Sequence, residues 1–108
     1  MDKFSAGESN HGAKLFKAKC ATCHTINDGG PNKQGPNLYK VMGRQSGQVA
    51  GFKYTDANKN SGIIWSNQTM CDYLANPKKY IKGTNMAFPG FKKEKDRIDV
   101  IAYLNEFK

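Results

Sequence analysis

The stretch "KCATCHT", residues 19–25, sets Cys20 and Cys23 two residues apart, with His24 directly after the second. Three chemistries use such a triplet: thiol–disulfide exchange, zinc binding and covalent capture of haem. A thioredoxin-type pair needs CxxC at the start of a helix that follows a buried strand. Here a helical pattern precedes the motif and glycines follow it. Structural zinc needs four ligands, usually with a second Cys/His pair at similar spacing. Only Cys71 and His11 remain, and they form no such pair. In the third chemistry both thiols add across the vinyl groups of a haem while the adjacent histidine binds the iron, and C-x-x-C-H is the signature of that attachment. Two thioether bonds pin the porphyrin edge and direct His24 at the metal, so the spacing predicts one covalently attached haem c.

A haem iron bound by His24 has a sixth position, and its occupant decides function. The candidates are Met42, Met70, Met86 and His11. Met70 lies on a helical face and reads as core. Met42, followed by Gly43 and Arg44, could either pack or ligate. Met86 lies in "YIKGTNMAFPGF", a turn-rich segment with no helical face to serve, and is the better candidate. It stands 62 positions beyond His24, so ligation there would close the middle of the chain around the cofactor. A His/Met pair fills both axial positions and raises the reduction potential, which suits electron transfer rather than oxygen chemistry.

The elements that must hold these groups are helical at both ends. In "SAGESNHGAKLFKAK", Ser5 with Glu8 reads as a capping box ahead of Gly12, Leu15, Phe16 and Cys20 at helical spacing. In "EKDRIDVIAYLNEF", Val100, Tyr103, Leu104 and Phe107 fall at i, i+3, i+4 and i+7, with Glu94 and Asp96 near the positive end of the helix dipole. A third helix, "SNQTMCDYLAN", is expected to be capped by Ser66, to turn Met70, Tyr73 and Leu74 inward, and to stop before Pro77. Cys71 on that helix reads as a small residue packed in or near the core. Residues 25–60 are rich in Gly, Pro, Asn and Asp and have no periodicity. So long a stretch fits a compact domain only if its side chains wrap something other than protein.

The 108 residues fit one domain, 1–108, whose modest core a bound apolar cofactor would enlarge. Seventeen Lys+Arg against nine Asp+Glu give a formal charge of +8, which points to an acidic partner. No apolar run approaches the roughly 20 residues of a membrane span, and the N-terminus lacks the apolar core of a secretory signal. The chain reads as soluble and uncleaved. An odd cysteine count with one CxxC does not suggest a disulfide framework, and no motif supports nucleic-acid binding.

Six segments in order, "KCATCHT", "GPNLYKVMGRQSG", "YTDANKNSGIIW", "YLANPKKYI", "GTNMAFPG" and "VIAYL", resemble mitochondrial-type cytochrome c, a class I c-type cytochrome, from about Gly7 to Leu104. The resemblance implies a small all-α cytochrome c fold with a loop-rich middle around a covalent haem. The N- and C-terminal helices would cross, Gly12 and Phe16 packing against Val100 and Tyr103. It carries over Cys20 and Cys23 as thioether positions, His24 and Met86 as iron ligands, and Pro36 as the carbonyl that receives the other nitrogen of the histidine ring. Tyr54 and Trp65 match donors to an inner haem propionate, with Arg44 nearby. Asn58, Tyr73 and Thr84 match the group around a buried water near Met86, and Phe88 matches the aromatic beside the exposed haem edge.

Lys14, Lys19, Lys33, Lys78, Lys79, Lys92 and Lys93 match the docking lysines of that family. The implied activity is single-electron carriage without catalysis, from the cytochrome bc1 complex to cytochrome c oxidase, by a monomer in the mitochondrial intermembrane space. A cardiolipin-rich membrane is a further, peripheral anionic surface. The sequence departs from the common pattern at Asn32, where many members have a histidine, and at Lys82 and Pro89, which flank Met86. Two other readings remain: a haem peroxidase with an open sixth position, and a signalling module of the kind that triggers caspase activation.

Overall fold

The computed structural model describes residues 3–33, 35–45, 61–81 and 90–107. Among these it has a 3-10 turn at Lys3–Ala6 and four α-helices: α1 (Ser9–Lys19), α2 (Asn67–Ala75), α3 (Pro77–Tyr80) and α4 (Glu94–Asn105). The expected all-α architecture is therefore present, and the two terminal helices pack on each other. The described extended pairing is a single antiparallel bridge between Gln45 and Ile64.

Helices α1 and α4 meet at Gly12, where a Cβ would overlap the Asp99 carbonyl oxygen and stand 3.0 Å from the Tyr103 Cβ. Glycine is needed there for space, because the two backbones nearly touch. One turn on, the Phe16 and Tyr103 rings pack 5.5 Å apart, within the 4.5–7 Å range of favourable aromatic pairs. Phe16, Val100, Ile101 and Leu104 are buried in one cluster with Met70, Cys71, Tyr73 and Leu74 of α2. The expected inward face of α2 is buried, and Cys71 is a core residue; on α4 Val100 and Leu104 are buried as expected, whereas Tyr103 and Phe107 are only partly buried and Ile101, outside the expected face, is fully buried.

The start of α1 differs from the expectation. Ser5 belongs to the preceding 3-10 turn, and the N-cap is Glu8, whose side chain makes no cap bond. The Glu8 N–H instead donates to Asp99 Oδ1 of α4 at 2.9 Å. Asp99 Oδ2 accepts from His11 Nδ1 at 2.6 Å and from Lys95 Nζ at 2.8 Å. A long-range carboxylate therefore takes over the capping that local sequence assigns to Ser5. The Ser66 cap is as expected: its Oγ accepts the Thr69 N–H at 3.2 Å, and the Thr69 hydroxyl accepts the Ser66 N–H at 2.8 Å. Helix α2 stops at Ala75, and Pro77 opens α3 at a position where a missing N–H costs nothing.

Candidate haem site

The CxxCH motif is a turn running off the end of α1. Cys20 N–H donates to the Phe16 carbonyl at 2.7 Å, and both Cys23 N–H and His24 N–H donate to the Cys20 carbonyl, at 3.0 and 2.9 Å. Cys20, Cys23 and His24 thus share one backbone turn. Cys20 is buried, whereas Cys23 and His24 are partly exposed. Burial first, and the neighbouring Cys23 second, push the Cys20 thiol up to about 11, opposite to the lowered thiol that a redox CxxC pair uses.

The loop after the motif folds back onto the histidine. His24 Nδ1 lies 2.8 Å from the Pro36 carbonyl oxygen. A carbonyl only accepts, so Nδ1 carries the proton and the lone pair is left on Nε2. Burial lowers the imidazole pKa below its usual value, outweighing the Pro36 bond, so the neutral form is favoured near pH 7. Further bonds hold this loop: Leu38 N–H to the Thr25 carbonyl at 2.7 Å, Asn37 Nδ2 to Thr25 Oγ1 at 2.7 Å, and Asn37 N–H to Asn32 Oδ1 at 2.9 Å. Asn32, noted as a departure, thus spans the loop with an amide oxygen.

Among the predicted site residues, Cys20, Cys23, His24 and Pro36 lie together, although 12 residues separate the last two. Trp65 and Tyr73 also meet, with ring centroids 5.0 Å apart, and both lie in the buried cluster that contains Cys20. The Arg44 guanidinium donates to the Tyr39 and Asn37 carbonyls at 3.0 and 3.1 Å, so it also closes its own loop. Tyr54, Asn58, Thr84, Met86 and Phe88 lie outside the described residues, as do Lys82 and Pro89. The other candidates for the sixth position have packing roles: Met42 and Met70 are buried in the core, and His11 faces Asp99. All seven candidate docking lysines are exposed, and Lys33 reaches back to the Ala21 carbonyl at 3.0 Å.

The donor set fits a c-type haem: two cysteines and a neutral imidazole with Nε2 to spare, carried on one short turn. Held in that way, Cys20 and Cys23 can take the two vinyl carbons and His24 the iron, defining a small helical protein built around a covalent haem. The family model for cytochrome c matches residues 9–108. Cytochrome c of Theileria parva is 63% identical over 100 residues, covering 93% of this chain and 86% of the relative. Those of Kluyveromyces lactis (55%; 94% and 92% covered) and Nigella damascena (53%; 98% and 96%) are similar over nearly their full lengths. The chain belongs to the cytochrome c family. It is a haem c electron carrier of respiratory electron transfer, and its relatives are eukaryotic, in keeping with a mitochondrial setting.

Proposed function

We propose that the chain is a single cytochrome c domain over residues 1–108 that shuttles one electron at a time and catalyses no reaction of its own. The bond from His24 Nδ1 to the Pro36 carbonyl carries this reading, because it leaves Nε2 as the ring's donor beside the two cysteines. Cys20 and Cys23 would hold the haem by thioether bonds, and His24 and Met86 would bind its iron. When bound, the haem supplies a one-electron iron couple whose potential a His/Met pair raises. Pro36 keeps the His24 tautomer. By the resemblance, Tyr54 and Trp65, with Arg44, would serve the inner propionate, Asn58, Tyr73 and Thr84 would hold a buried water, and Phe88 would be the aromatic of the exposed haem edge.

Lys14, Lys19, Lys33, Lys78, Lys79, Lys92 and Lys93 steer the monomer to acidic docking faces on the cytochrome bc1 complex and cytochrome c oxidase. The setting is the mitochondrial intermembrane space, where a cardiolipin-rich surface attracts the same charges peripherally. No described helix is long and apolar enough to cross a membrane.

Visible spectra of the purified holoprotein, ferric and then dithionite-reduced, test the ligand set. A narrow alpha band on reduction with a weak far-red band on oxidation is expected, and Met86→Ala should abolish the far-red band and open the iron to carbon monoxide while the haem stays attached. A high-spin spectrum that binds carbon monoxide at once would sink the proposal in favour of an open iron. Docking is tested separately: Lys78→Glu with Lys79→Glu should slow association with isolated oxidase on the order of tenfold at low salt, and the gap should close as salt screens the charges. A gap independent of salt would mean that the lysines do not steer.

A further inference from the structure

Gly35 is buried beneath the His24 ring. A Cβ built on it would overlap His24 Cε1 and lie 2.6 Å from Nδ1 and 2.7 Å from Nε2. A point as close to Cε1 but beyond the ring edge would stand clearly farther from both nitrogens than this, so the Cβ position lies over the face of the ring. The imidazole therefore rests flat on the glycine backbone. The conformation does not demand glycine here, for among the described residues the glycines with positive φ are Gly29, Gly43, Gly62 and Gly90. What a side chain would meet is the ring itself.

Neither partner can easily yield. Gly35 N–H donates to the Cys23 carbonyl at 2.8 Å, and the Gly35 carbonyl accepts from Lys33 N–H at 2.9 Å. Lifting Gly35 would strain the peptide that carries Cys23. The Pro36 bond fixes one corner of the imidazole but leaves the ring able to swing about the Nδ1···O line. Contact with Gly35 blocks that swing on one side.

We infer that Gly35 is a positioning residue, a seat that with the Pro36 carbonyl sets the plane of the His24 imidazole and so the aim of Nε2. This rests on the proposed role of His24 as an iron ligand. Gly35 opens "GPNLYKVMGRQSG", but the residue types of that segment do not give the glycine this role. Its role follows from a contact made 11 positions back in the chain.

The test is Gly35→Ala in the ferric holoprotein, read by paramagnetic proton NMR of the His24 ring and by redox equilibration against a mediator of fixed potential. The parent is measured first: absence of iron-bound His24 ring signals there would refute the ligand assignment itself. With those signals present, Gly35→Ala should move them and shift the oxidised-to-reduced ratio at least threefold, about 28 mV for one electron. Unmoved signals and an unchanged ratio in a folded variant would overturn the seat alone. If Gly35→Ala yields no folded holoprotein, it is made together with His24→Gly and imidazole is supplied in solution. A free imidazole can slide off the new methyl group, so holoprotein yield should return to that of His24→Gly alone. An equal failure in that background would show that the glycine is not there to clear the ring.

Discussion

Gly12→Val is expected to lower the unfolding free energy by about 3 kcal/mol or more, the upper end of what overpacking costs. A Cβ at residue 12 would overlap the Asp99 carbonyl oxygen and stand 2.5 Å from the carbonyl carbon. These are backbone atoms of α4, which cannot rotate aside as a side-chain tip can. The helices would have to separate, and separation would loosen the Phe16–Tyr103 contact and the bond from Glu8 N–H to Asp99 in the same step. Against a total stability of roughly 5–15 kcal/mol, that is a large fraction. Urea unfolding of the holoprotein is the measurement: the midpoint should fall with little change in slope. A loss below about 1 kcal/mol would mean that the helices repack without cost.

The second large effect is a dependence on acid set by Asp99, a carboxylate with 1% exposure between the terminal helices. Burial alone would raise its pKa. The Glu8 N–H, Lys95 and His11 together outweigh burial and hold it at about 2, below the 3.8 of a free side chain. A depressed native pKa means that the unfolded chain takes up the proton first as pH falls. The stabilisation is therefore complete above about pH 4 and drains away between pH 4 and pH 2. The gap corresponds to about 2 kcal/mol at 1.36 kcal/mol per unit. The exposure of the Lys95 and His11 side chains, 62% and 40%, lowers this to about 1–2 kcal/mol through solvent screening. Asp99→Asn should be less stable than the parent by that amount at pH 5 and nearly equal to it at pH 2. Urea midpoints at pH 5, 3 and 2 decide the matter, since the titrations of other carboxylates cancel in the difference. A deficit of the same size at all three pH values would show that Asp99 acts by shape and not by charge.

Both effects concern contacts made between the two ends of the chain, where sequence reading was uneven. Periodicity located α1, α2 and α4, because each buries a stripe of apolar residues at helical spacing. The Ser66 cap was readable because a cap is a bond between near neighbours. The Ser5–Glu8 box had the same local form and failed. Glu8 finds its partner 91 residues away on α4, and no pattern within a window of a few residues contains that information. Helix α3 was missed for a milder reason: Pro77, read only as the end of one helix, also begins the next.

What the sequence determined by itself was chemistry of short range: two cysteines and a histidine whose separation in a single turn is fixed by covalent geometry, three helices marked by apolar period, and a strong excess of positive charge. Only the tertiary structure decided how that histidine is held. Pro36 lies 12 residues from His24 and Gly35 lies 11, yet one sets the tautomer and the other supports the ring face. The same is true of Asp99, which joins Glu8, His11 and Lys95 into one cluster. Spacing along a chain specifies neighbours only where backbone geometry is regular, whereas the partners of a loop are chosen by how the whole chain closes.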